Sequence, residues 1–114
     1  MSHVYKICAA QLWDEAVATG VFKGAAIDLE DGYIHFSTAA QAEETARRHF
    51  RHQDGLVLVT IDTTELDITW EPSRGGDLFP HLYTDLPTTT AVRTVPLACD
   101  DAGVPQPPEG WRGI

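Results

Sequence analysis

The spacing of apolar and polar residues changes character several times along the chain. Val4 to Ala9 alternates as a strand does, with Tyr5 and Ile7 on one face and Val4, Lys6 and Cys8 on the other. From Ala10 to Gly20 the period lengthens to that of a helix. Leu12, Trp13, Ala16 and Val17 share one face, and Gly20 suits the left-handed residue just past the end. Phe22 to Gly32 reads as a connection closed by the turn pair Asp31-Gly32. Strand alternation returns at Tyr33-Ile34-His35-Phe36-Ser37. Ile34 and Phe36 face a core, and Tyr33, His35 and Ser37 face the other way.

Thr38-Ala39-Ala40-Gln41 matches a capping box, in which Thr38 caps a helix and Gln41 reaches back to it. That helix is predicted to run to about Arg51, with Ala39, Ala42, Ala46 and Phe50 as its inward stripe. Glu43 and Glu44 near its start and Arg47, Arg48 and Arg51 near its end suit the helix dipole, and Glu43–Arg47 and Glu44–Arg48 are spaced as ion pairs.

Leu56 to Asp62 is apolar on both faces and rich in β-branched residues, the pattern of a central strand. Ile68 to Pro72 reads as a strand stopped by proline, Ser73 to Asp77 as a flexible loop, and Phe79 to Tyr83 as extended. Leu86-Pro87 turns the chain, and Thr90 to Leu97 is the last strand. From Asp100 onward prolines and glycines predict an irregular tail, with Trp111 either docked on the body or offered to a partner. Two early helices and about six short strands, the later ones without helices between them, make an α+β fold in one domain.

Composition narrows the function classes. The 114 residues carry 17 acidic and 8 basic side chains, a net charge of −9. Such a surface repels polyanions, which excludes a general nucleic-acid or anionic-membrane binder and leaves room for a small ligand. No apolar run approaches membrane-spanning length, and no signal peptide is apparent after Met1. Cys8 and Cys99 stand apart, without metal-type spacing, so a cytoplasmic protein with reduced thiols is expected and a Cys8–Cys99 disulfide is the alternative.

Three stretches hold the candidate chemistry. Tyr33, His35 and Ser37 can project into a ligand cleft, or Ser37 can cap the helix while His35 bonds within the core. The adjacent hydroxyl and imidazole lack a third orienting group and a nucleophile elbow, so a Ser-His hydrolase is not indicated. In Trp70-Glu71-Pro72-Ser73-Arg74-Gly75-Gly76, proline holds Glu71 extended, Arg74 is a fixed cation, and the glycines let backbone approach a ligand. A surface Glu71–Arg74 pair over a plain turn is the simpler reading. In Phe79-Pro80-His81-Leu82-Tyr83, His81 and Tyr83 share a face, repeating the pattern of Tyr33 and His35. His35, His81 and Glu71 are the residues a zinc ion would use. The five histidines form no H-x-H or H-x-x-x-H pair, so no metal is assigned.

With Tyr5-Lys6-Ile7 and Trp13, these motifs resemble a small bacterial group, domain-of-unknown-function family 952, over roughly residues 4 to 97. The resemblance implies an ADP-ribosyltransferase-like fold: a split, curved, mostly antiparallel sheet with a cleft where transferases hold NAD. It implies a transferase-like or NAD-glycohydrolase-like activity with NAD as candidate cofactor, but no established reaction. His35 and Glu71 are then the catalytic candidates. Lys6, Tyr33, Ser37, Thr38, Ser73, Arg74, Gly75, His81 and Tyr83 are the candidate ligand contacts. The alternative is a non-catalytic interaction domain whose polar motifs form a structural hydrogen-bond network.

Overall fold

The computed structural model describes residues 2–112, and the side chain of Arg74 lies outside what is described. In chain order the elements are β1 (His3–Ala9), α1 (Ala10–Thr19), β2 (Val21–Phe22), α2 (Ala26–Asp31), β3 (Ile34–His35), α3 (Ala42–His49), β4 (Leu56–Asp62), β5 (Thr69–Ser73), β6 (Asp77–Leu82), β7 (Leu86–Pro87), β8 (Ala91–Pro96), β9 (Ala98–Cys99) and β10 (Pro105–Gln106). This is an α+β fold with three helices in its first half. The additional helix, α2, lies in the stretch expected to be a connection. It is short, and its start is capped by its own Asp28, whose Oδ2 accepts from the Ala25 amide at 2.7 Å.

Two antiparallel three-stranded sheets organise the chain, in the orders β1-β4-β8 and β3-β6-β5. The apolar run of β4 is central in the first, with Val4 opposite Ile61 and Leu58 opposite Val95. Both of its faces are covered. Val4, Cys8, Val57, Val59 and Ile61 meet Trp13, Phe22, Ile34, Phe36, Leu82 and Leu86 in the core between the sheets. Tyr5, Ile7, Leu56 and Leu58 pack against Ala42 and Ala46 of α3. Val17, expected on the inward face of α1, is exposed.

The sheets are tied together by the segment 34–37. Ile34 and His35 pair with Leu82 and His81 of the second sheet. Two residues later Ser37 exchanges both backbone bonds with Tyr5 of the first, at 2.8 and 2.9 Å. Just beyond, the reciprocal bonds of the capping box form, the Thr38 amide donating to Gln41 Oε1 and the Gln41 amide to Thr38 Oγ1, but they close a turn ahead of the helix, which begins at Ala42 with Gln41 as its N-cap. Glu44 pairs with both Arg47 and Arg48, whereas Glu43 pairs with Arg112 rather than Arg47.

The tail is more ordered than its composition predicts. Ala98–Cys99 and Pro105–Gln106 form a two-stranded ladder, and Trp111 is buried edge-on against Tyr5. Likewise Leu86-Pro87, expected as a turn, pairs with Val21–Phe22. Both cysteines are free, so the disulfide alternative is not formed. No helix among the described residues is long and apolar enough to cross a membrane.

Candidate functional site

Strand alternation delivers the first part of the site. With Ile34 and Leu82 turned into the core, His35 and His81 lie on the opposite face as register partners, their rings 5.4 Å apart. Tyr33 sits over this pair, its ring 4.5 Å from His35 and 4.2 Å from His81. Tyr83, just past the end of β6, places its ring 5.1 Å from that of Tyr33. Residues 33, 35, 81 and 83 thus form one continuous cluster of rings, in which His81 is buried and Tyr83 is exposed.

Glu71 enters from β5. It is paired across the strands with Phe79, and its carboxylate reaches diagonally toward His81. Oε1 accepts from the Tyr83 hydroxyl at 2.6 Å and lies 2.8 Å from His81 Nδ1. These bonds, Tyr83 first and then His81, hold the Glu71 carboxyl below its usual range. The same bond pushes the Tyr83 phenol up to about 12. Glu71 therefore stands ionised and oriented, and it remains 37% exposed in its side chain.

Behind this surface lies a group that the sequence motifs did not single out. Asp28 is fully buried, and four donors converge on its carboxylate. Oδ1 accepts from the His35 amide at 3.0 Å and faces His35 Nδ1 at 2.6 Å, and Oδ2 accepts from the Ala25 amide. The fourth donor is Lys6 Nζ, within 3.0 Å of both oxygens. Burial raises the Asp28 carboxyl, but the His35 bond and the Lys6 charge outweigh it and hold it down at about 2. Lys6 also donates to the His35 carbonyl at 2.8 Å, and burial lowers its own pKa against the pull of Asp28. A clue was present in the sequence. Lys6 shares its strand face with Val4 and Cys8, so it had to be buried, and a buried ammonium needs a carboxylate. Gly24 is the second clue: at φ +120° it leaves room for Asp28, whose Cβ lies 2.8 Å from where an added Cβ would stand.

The remaining candidates separate into two groups. Ser37 and Thr38 are used by the fold. The Ser37 hydroxyl bonds that of Thr45 at 2.9 Å, and the Thr38 hydroxyl accepts from Gln41. Ser73, Arg74 and Gly75 lie at the turn between β5 and β6, where Gly75 and Gly76 take positive φ values of 72° and 89°. Beside Tyr33 and Tyr83 opens a cleft of about 160 Å³, walled also by Lys23, Asp28, Gly32 and Asp85. Among the described residues no three His, Cys, Asp or Glu side chains group as metal ligands do.

Comparison with known proteins gives a consistent neighbourhood. The model of the family described as "Protein of unknown function (DUF952)" matches residues 7–95. The crystal structure of protein CC0527 from Caulobacter crescentus is 46% identical, with a TM-score of 0.88 over 92% of this chain and 94% of that one. The solution NMR structure of CC0527 is 43% identical, with a TM-score of 0.82 over 100% of this chain and 97% of that one. No curated protein matches the chain.

Proposed function

We propose that this chain, which belongs to the DUF952 family of proteins of unknown function, binds and processes a nucleotide-like ligand of the NAD or ADP-ribose type at the surface of Tyr33, His35, Glu71, His81 and Tyr83. The observation that carries this reading is convergence. Two segments distant in sequence, residues 33–35 and the β5–β6 hairpin with Tyr83, bring two phenol rings, two imidazoles and an oriented carboxylate into mutual contact. A soluble-facing strand surface with no ligand has little need of such an arrangement.

The chemistry divides among these residues. The tyrosine rings offer a platform for a flat ring. Glu71, ionised and still accessible, is suited to stabilise positive charge that develops on a ribose as its glycosidic bond breaks. The turn between β5 and β6, which carries the sequence's Arg74 cation and the positive-φ glycines Gly75 and Gly76, is where phosphates are proposed to bind. Two antiparallel sheets joined through the Tyr5–Ser37 bridge support the finer description of a split, ADP-ribosyltransferase-like fold. A cytoplasmic setting is part of the same proposal and agrees with the two free thiols.

A structural reading is favoured for some of the candidates. Lys6, Ser37 and Thr38 direct their polar groups to partners within the chain. They are assigned here to building the site rather than to touching the ligand.

The test is an NMR titration of the protein with NAD and with ADP-ribose. Amide shifts are expected at Tyr33, His35, Glu71, Gly75, His81 and Tyr83. If NAD is cleaved, Glu71→Gln should slow nicotinamide release by about 100-fold while leaving the spectrum folded. Absence of shifts at these positions with either ligand at millimolar concentration would overturn the nucleotide reading.

A further inference from the structure

The chain has 8 basic side chains among 17 acidic ones, so a cation here has carboxylates to choose from. Lys6 is held by Asp28, Arg47 and Arg48 by Glu44, and Arg112 by Glu43. Arg51 donates to the Ala102 carbonyl and Arg93 to the Gly110 carbonyl. Among the described side chains, Lys23 is the one cation left without a hydrogen bond, an ion pair or a ring contact. It stands where two hollows meet. One is the cleft beside Tyr33 and Tyr83, and the other is a groove of about 430 Å³ between α1 and β2. The helical period makes that groove. Leu12, Ala16 and Thr19 fall at i, i+4 and i+7 of α1, and the small Ala16 leaves a hollow that Val21 and Phe22 continue. Most polar atoms around it are committed within the chain. The Thr19 hydroxyl lies 3.1 Å from both the Ala16 and Val21 carbonyls, and the Gly20 amide closes α1 onto Ala16 and Val17.

We infer that this groove binds a small organic acid with an apolar body, its anionic head on Lys23 and its body along Leu12, Ala16 and Val21. The site is separate from the surface of Tyr33, His35, Glu71, His81 and Tyr83, and the inference does not rest on the nucleotide reading. A hollow of this volume suits a small molecule, and one charged group at its edge fixes which way the molecule lies. Such an acid gains twice. Its body leaves water, and its head neutralises a charge that the fold leaves open. Glu15 is the opposing charge on the groove wall. It takes only a long bond of 3.5 Å from Gln11, so it repels the head and limits the affinity.

The test is NMR titration of the full chain with octanoate and with 4-phenylbutyrate, each beside its neutral alcohol, 1-octanol and 4-phenylbutanol. ADP-ribose is titrated in parallel. At least one acid is expected to shift Leu12, Thr19, Val21, Lys23 and Gly24 and to bind about threefold tighter than its alcohol. Lys23→Gln changes an exposed side chain without partners, so the fold is kept; it should abolish the preference for the acid and leave the alcohol unchanged. Glu15→Gln, also exposed, should tighten the acid about twofold by removing the like charge. Binding of octanoate alone identifies an aliphatic body, and binding of 4-phenylbutyrate alone an aromatic one; both support the inference. Equal binding of acid and alcohol overturns it, as does a preference for the acid that survives Lys23→Gln. Absence of shifts along the groove with either acid at millimolar concentration also overturns it. If ADP-ribose moves Lys23 together with Tyr33 and Tyr83 while neither acid moves it, Lys23 serves the nucleotide cleft and the inference falls alone.

Discussion

Asp28→Ala is expected to lower the free energy of urea unfolding by about 3–5 kcal/mol, a large share of what a domain of this size possesses. The side chains of Lys6 and Asp28 are 5% and 0% exposed, so removing the carboxylate leaves an ammonium buried without its counter-charge. It also strips an acceptor from the His35 amide and from the amide that opens α2. The double variant Lys6→Met/Asp28→Leu removes both charges and is expected to recover most of the loss, since an apolar pair avoids the desolvation cost. If the single variant costs less than about 1 kcal/mol, the Lys6 ammonium is not dependent on Asp28 for its counter-charge as described.

The same group gives a pH dependence. The Asp28 carboxyl is lowered from 3.8 to about 2 on folding, so the folded state favours its charged form. Its contribution, on the order of 2 kcal/mol, is fully present above pH 4 and is lost as pH falls toward 2. Urea midpoints measured between pH 5 and pH 2 should fall in the native protein. In the double variant that part of the slope should be missing.

Trp111→Ala is the second large effect, at about 3–5 kcal/mol by chemical denaturation. Trp111 is 6% exposed and belongs to the cluster of Tyr5, Ile7, Ala42, Ala46 and Val95. Its ring meets that of Tyr5 edge-on at 5.1 Å, and the Arg112 guanidinium lies over the ring, 4.5 Å from its centre. Trp70, 49% exposed on the β5–β6 hairpin, is the matched control, and its alanine variant should cost less than about 1 kcal/mol. Equal losses at the two positions would contradict the docked tail.

Much of this architecture was legible because periodicity reports which face is buried. The two faces of β1, the central place of β4, the capping box at Thr38 and the shared face of His81 and Tyr83 all follow from spacing alone. What spacing could not give was long-range polar pairing. Asp28 passed unnoticed in a stretch read as a connection because its four donors come from residues 6, 25 and 35. The tail misled for a related reason. Proline and glycine report local flexibility, but a chain can be fixed by single anchors. His52 donates its amide to the Gly103 carbonyl, Arg93 bonds the Gly110 carbonyl, and Trp111 fills the apolar surface left by α3. The face shared by Tyr33, His35 and Ser37 was right for the first two. It failed at Ser37 because the strand leaves one sheet for the other after His35, and the alternation does not carry across that change.

That change of sheets also bears on how the chain reaches its native state. β1 is made first but pairs with β4, His3 lying opposite Asp62, and the bridge to Ser37 closes a loop that contains α1 and α2. Neither sheet can be completed from neighbouring segments alone, apart from the β5–β6 hairpin. Chain-closure entropy must be spent before these distant strands meet, which places folding in the millisecond-to-second range of non-local β topologies rather than among fast helical domains. Within the two three-stranded sheets the β5–β6 hairpin, which carries Glu71 and His81, is the local piece available early, so the segment that bears the candidate chemistry is also a natural starting point for assembly.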